Sequence, residues 1–91
     1  MAPDQTKLTR ARAELEEAVE TADDGVRDPV RETAAAFAEL ASEGRTPDHA
    51  LMDEHLNVLR QAKRRADGDT EAHIDQALEH AEEYREGISQ A

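Results

Sequence analysis

Over the first forty-odd residues, apolar side chains return every three or four positions: Leu8, Ala11, Leu15, Val19, Ala22, Val26, Val30, Thr33 or Ala34, Phe37 and Leu40. That spacing lines one face of an α-helix and matches no strand alternation. It lies close to an 11-residue repeat, which predicts little supercoil or a slightly right-handed one. Two shorter stripes follow. One holds Leu51, Met52, His55 or Leu56, Leu59, Ala62 and Ala66; the other holds Ile74, Ala77 or Leu78, Ala81, Tyr84 and Ile88. The fold class expected from these patterns is all-α.

Punctuation sets the boundaries. Gly44 suits a helix C-terminus, Thr46 an N-cap and Pro47 a first helical position. Asp67-Gly68-Asp69-Thr70 reads as the next turn. Gly25-Val26-Arg27-Asp28-Pro29 is ambiguous: Pro29 removes one helical hydrogen bond and presses on the Gly25 carbonyl, yet the stripe keeps its phase across it. The expected architecture is an antiparallel three-helix bundle with a long, kinked first helix. Its helices cover about 4–43, 47–67 and 70–88 in a single domain over 4–89, after a disordered tail at 1–3. The alternative is a four-helix arrangement with a break at Gly25–Pro29.

Helix lengths then matter. At 1.5 Å per residue the first helix would span about 60 Å and the others about 30 Å each. The second helix covers only the later half of the first, so Phe37 should meet Met52 or Leu56, and Leu40 should meet Leu51. Leu8, Leu15 and Val19 would be left on a half without a partner. These three are the candidate interface, for a homodimer or another protein. Replacing Leu15 by Asp is expected to weaken association and leave the hairpin folded.

Composition narrows the setting. The chain has 22 acidic residues against 11 Lys and Arg, for a formal charge of -11. Nine of the basic residues are Arg and two are Lys, while 17 residues are Ala. Leu, Ile, Val and Phe supply only 14 of the 91 residues, a fraction ordinarily associated with disorder. Alanine, the best helix former, and the helical stripes argue instead for a folded chain with a thin core. Many carboxylates, few lysines and abundant alanine point to a salt-rich cytosol. The opening Met1-Ala2-Pro3-Asp4 carries neither the basic nor the apolar part of a signal peptide, and no apolar run is long enough to cross a bilayer. A cytoplasmic location is expected.

The segments Leu15-Glu16-Glu17-Ala18, Gly25-Val26-Arg27, Leu56-Asn57-Val58-Leu59 and Ala77-Leu78-Glu79-His80-Ala81, with Tyr84-Arg85, resemble a family of small acidic haloarchaeal helical proteins of unknown function. The resemblance spans most of residues 8 to 88. It implies a helical bundle in a halophilic cytoplasm, with no activity or catalytic residue to carry over.

Chemical motifs are sparse. With no cysteine, thiolate catalysis and Cys-ligated zinc are excluded. His49 and His55 are six apart and His73 and His80 seven apart, which does not let one helix present either pair to a single ion. Glu-x-x-His is absent. The acidic pairs Glu16-Glu17, Asp23-Asp24 and Glu82-Glu83 read as a solvated face. Ser42 and Ser89 lack a nucleophile elbow. No catalytic, metal or cofactor site is expected, and the chain is read as a non-enzyme.

One basic cluster, Arg60-Gln61-Ala62-Lys63-Arg64-Arg65, closes the second stripe. Cations suit a helix C-terminus, and Arg64 should lie near Glu71, with Arg60 near Asp75 or Glu79. The functional alternative is nucleic-acid contact through Arg60, Lys63, Arg64 and Arg65. Phosphate contacts weaken steeply with salt, and Phe37 and Tyr84 lie on core stripes rather than on a stacking surface. The acidic polar faces disfavour a membrane surface. The expected function is a non-enzymatic helical interaction module, with the nucleic-acid accessory as the alternative.

Surplus carboxylates repel one another until salt screens them over a Debye length of about 10 Å at 0.1 M and about 3 Å at 1 M. The thermal midpoint followed by circular dichroism should therefore rise between those two KCl concentrations; a flat or falling midpoint would remove self-repulsion as a controlling term.

Overall fold

The computed structural model describes residues 4–88. They form four helices: α1 (Gln5–Thr21), α2 (Asp24–Glu43), α3 (His49–Arg65) and α4 (Gly68–Glu86). The tail expected at 1–3, and residue 89 at the expected domain end, lie outside the described residues. No helix is long and apolar enough to cross a membrane among those residues.

The long first helix is not there. The long axis of the molecule is 39 Å, too short for an unbroken helix over 4–43. The chain reverses at Ala22 and Asp23, both in extended conformation, so the four-helix alternative holds with its break moved towards the N-terminus. The residues explain the position. Aspartates disfavour a helix C-terminus but suit an N-terminus, where they face the positive end of the dipole. The Asp23 carbonyl accepts from the amides of Val26 and Arg27, opening α2. Arg27 then braces the corner: its guanidinium donates to the Ala22 carbonyl at 2.7 Å and to Asp24 Oδ1 at 2.8 Å. One orphan carbonyl of α1 is thereby satisfied. Ala22 and Val26 are both buried, which is why the stripe runs in phase through a real break.

Pro29 sits inside α2 instead of starting it. The hydrogen bond it forfeits is the one to Gly25, whose carbonyl lies in the first turn at the exposed end of the helix. One turn on, the buried Thr33 hydroxyl donates to the Pro29 carbonyl at 2.9 Å and so is satisfied.

The other ends differ from expectation by small offsets. Gly44 closes α2 in left-handed conformation, φ 66°. The N-cap of α3 is Asp48 rather than Thr46: its Oδ1 accepts from the Leu51 amide at 2.8 Å. Pro47 is consequently outside the helix and buried in the loop. The turn into α4 uses Gly68 at φ 54°.

All neighbours are antiparallel. α1 lies between α2 and α4, and α3 closes the other side against the same two. Thr21 at the end of α1 meets Thr70 at the start of α4, hydroxyl to hydroxyl at 2.6 Å, and Lys7 pairs with Glu83 at the opposite end. The core contains Leu8, Leu15, Phe37, Met52, Leu56, Leu59, Ile74 and Tyr84, all essentially inaccessible. Close approaches are most numerous around α1, where Ala11, Ala18, Ala77 and Ala81 are fully buried. Small side chains at a helix contact bring the axes together, whereas Met52, Leu56 and Leu59 hold α3 further off. Phe37 meets the edge of His55, with ring centroids 5.6 Å apart, and belongs to the same buried core as Met52 and Leu56.

Leu15 is thus interior, which reverses its expected behaviour on mutation. Leu15→Ala should cost about 2–5 kcal/mol in denaturant titration. Leu15→Asp should abolish the cooperative transition, because a lone buried charge competes with a total stability of about 5–15 kcal/mol. A folded Leu15→Asp variant with an unchanged midpoint would refute the enclosed α1.

Candidate functional site

The expected interface divides. Leu8 and Leu15 are fully buried by α2 and α4 of their own chain and present nothing to a partner. Their assignment as an exposed patch is corrected by the break at Ala22 and Asp23, which supplies the covering the unbroken helix would have lacked. Val19 alone among the three reaches the surface. It is half-buried and lines a groove of about 430 Å³ between α1 and α2, together with Arg12, Glu16, Arg31, Ala34, Ala35 and Ala38.

This groove exists because α2 carries alanine at 34, 35, 36 and 38. Ala34 is buried, Ala38 half-buried and Ala35 exposed, so the helix grades from core to surface with no side chain large enough to fill the cleft. Arg12 on the rim is held by Glu16 at 3.4 Å. Arg31 on the opposite rim makes no ion pair with any described residue. The arrangement is an apolar floor between charged edges, suited to covering by an apolar surface rather than to bond-making chemistry.

The basic cluster does not form one surface. Arg60 reaches Glu82 at 3.3 Å and Lys63 reaches Asp75 at 2.6 Å, two turns apart along α4. The pairing with Asp75 raises the Lys63 pKa. Arg60 lines one cleft with its expected neighbours Asp75 and Glu79, but its ion pair is with Glu82, while Lys63 takes Asp75. Arg64 shares a cleft of about 400 Å³ with Arg60, Lys63, Glu71, Asp75 and Glu79, as its expected place near Glu71 implies. Arg65 points elsewhere, lining a cleft with Gly25, Pro29 and Val58. Two of the four cations therefore already hold carboxylates, and a third faces several.

The histidines are dispersed. His49 Nε2 lies 3.3 Å from the Ile88 carbonyl, His55 packs on Phe37, and His73 Nδ1 lies 2.8 Å from Glu14 Oε1 across the α1–α4 contact. Among the described residues no group of three or more His, Asp or Glu is placed to hold a metal. At the far end of the bundle Arg85 grips Asp53 at 2.6 Å and holds its carboxyl below the usual range. Gln5 Nε2 lies 3.5 Å from the buried Tyr84 hydroxyl, and burial pushes that phenol up.

Sequence reasoning missed the groove. The signal is the run Ala34-Ala35-Ala36 with Ala38, which by itself indicates only helix propensity. An alanine on the outward face leaves a depression when the neighbouring helix lies close, and only packing shows that α1 does so.

A family model, described as a family of unknown function (DUF7553), matches residues 3–87 of the chain. No curated protein and no solved structure matches it.

Two histidines should titrate in opposite directions. The hydrogen bond that His73 donates to Glu14, with the charges of Glu14, Glu17 and Asp69, raises His73 above its ordinary 6.5. Its stabilising contribution is present in full below 6.5 and is lost as pH rises through the folded value. Burial lowers His55 below 6.5. Its unfolded form protonates first, so stability falls as pH drops from 6.5 through the folded value. NMR titration of the imidazole protons should place His73 above 6.5 and His55 below it, and His73→Gln should remove the alkaline-side decline in stability. Coincident midpoints would contradict the Glu14 and Phe37 contacts.

Proposed function

The chain belongs to this family of unknown function, and on that premise we propose that it is a non-enzymatic helical interaction module that docks a helix in the α1–α2 groove. The observation carrying this reading is the groove itself: an alanine floor with Val19 beside it, bordered by Arg31, which makes no ion pair among the described residues. A helix presenting small or apolar residues would exclude water from that floor, and a carboxylate on it would meet Arg31.

The working environment is a salt-rich cytoplasm. A formal charge of -11 with only two lysines suits such a medium, where repulsion between acidic surfaces is short-ranged and apolar contact is undiminished. Nucleic-acid contact through Arg60, Lys63, Arg64 and Arg65 has weaker support, because Glu82 and Asp75 would first have to be displaced.

A photo-crosslinking side chain at Ala35, in the groove, can be compared with one at Asn57, exposed on α3. In the native cytoplasm at its own ionic strength, covalent adducts should form at Ala35 and be scarce at Asn57. An absence of adducts at Ala35, or equal yields at both positions, would defeat the docking role.

A further inference from the structure

The outer face of α2 has a pattern that complements itself. Ala35 is exposed at its middle, and Arg31 and Glu39 lie one helical turn to either side, both exposed. Neither makes an ion pair with a described residue, although the other groove cation, Arg12, is held by Glu16. On a two-fold axis passing beside Ala35, two antiparallel α2 helices would place each Arg31 across from the partner's Glu39. The same operation sets Ala35 against the partner's Ala35, with Ala38 and Val19 closing the groove beside it.

Resting on the docking reading above, we infer that the occupant of the α1–α2 groove is a second copy of this chain, held by antiparallel α2–α2 packing at Ala35 and by two reciprocal Arg31–Glu39 pairs. Alanine at the crossing permits interaxial distances near the short end of the usual range, about 8 Å. Each Arg31 then gains a carboxylate that none of the described residues of its own chain supplies, at a rim where the charges set register and partner choice. The net charge of -11 on each copy opposes association in dilute buffer, so the dimer belongs to high salt, where that long-range repulsion is screened.

Light scattering in about 1 M KCl, where the Debye length is about 3 Å, should return twice the 10.1 kDa chain mass. Arg31→Glu and Glu39→Arg should each weaken dimerisation about tenfold or more, since like charges would then meet twice; tenfold corresponds to about 1.4 kcal/mol. The double variant Arg31→Glu/Glu39→Arg restores opposite charges and should recover the dimer, a rescue that a purely structural role would not produce. Both sites are on the exposed face, so each variant should give the helical circular dichroism of the wild type. As a second measurement, Ala35→Cys should give a disulfide-linked dimer on mild oxidation and Asn57→Cys should not, the chain having no other cysteine. A monomeric wild-type mass in high salt, or a double variant no better than the singles, would overturn the second-copy inference. If the wild type is monomeric while Ala35 still crosslinks to a different protein, this inference falls and the docking role stands; if Ala35 crosslinks to nothing, both fall.

Discussion

At Ala22 and Asp23 the backbone leaves the helical region for two residues, and the Arg27 guanidinium takes the carbonyl that α1 would otherwise leave bare. The rest of the molecule depends on that reversal. A continuous first helix would extend beyond any partner in its own chain and expose Leu8 and Leu15. Folded back, the same residues become the centre of the core, and α1 gains two neighbours in α2 and α4. Few large apolar residues suffice because most of them, though not Val19, Leu51 or Val58, are enclosed and the gaps between them are closed by alanine. Thinness in composition is offset by closeness in packing.

Alanine also sets the asymmetry of the bundle. Buried alanines let α1 lie tight against its neighbours, while bulkier residues on α3 keep it at a greater distance. Charges then join the helices from outside. Lys7 with Glu83 and His73 with Glu14 tie α1 to α4, and Lys63 with Asp75 and Arg85 with Asp53 tie α3 to α4. These pairs are partly exposed and individually weak. Their combined effect is to use much of a small complement of cations against the excess of carboxylates. The Arg60–Arg65 cluster falls under this account, with half its members engaged on α4. Where alanine continues onto the outer face of α2, the same small side chain that improves packing inside leaves a depression outside, next to Arg31, which makes no ion pair among the described residues.

Much of this was legible residue by residue. The apolar positions of all four helices lay in stripes spaced by three and four, α1 and α2 sharing one continuous stripe, and Gly44 closed a helix where its conformational freedom suggested. The corner was misplaced because Gly25 and Pro29 are stronger local punctuation than Thr21-Ala22-Asp23-Asp24. In fact Pro29 is accommodated within the opening turns of α2, where the bond it forfeits is near the helix end. Thr46 was passed over as a cap because Asp48 offers a carboxylate acceptor at the position where α3 begins.

Local chemistry therefore determined the helical class, the apolar stripe that each helix carries and the surplus of negative charge, because periodicity and side-chain type act within a few turns of backbone. It did not determine which faces would be covered. Whether Leu8 was interior or exposed turned on a two-residue reversal, whose effect is felt tens of ångströms along the chain. The groove at Val19 and Ala35 arises from the spacing between two helix axes, and that spacing is set by all the contacts of the bundle together. Only the tertiary structure could separate the apolar positions that fill the core from those left open at the surface.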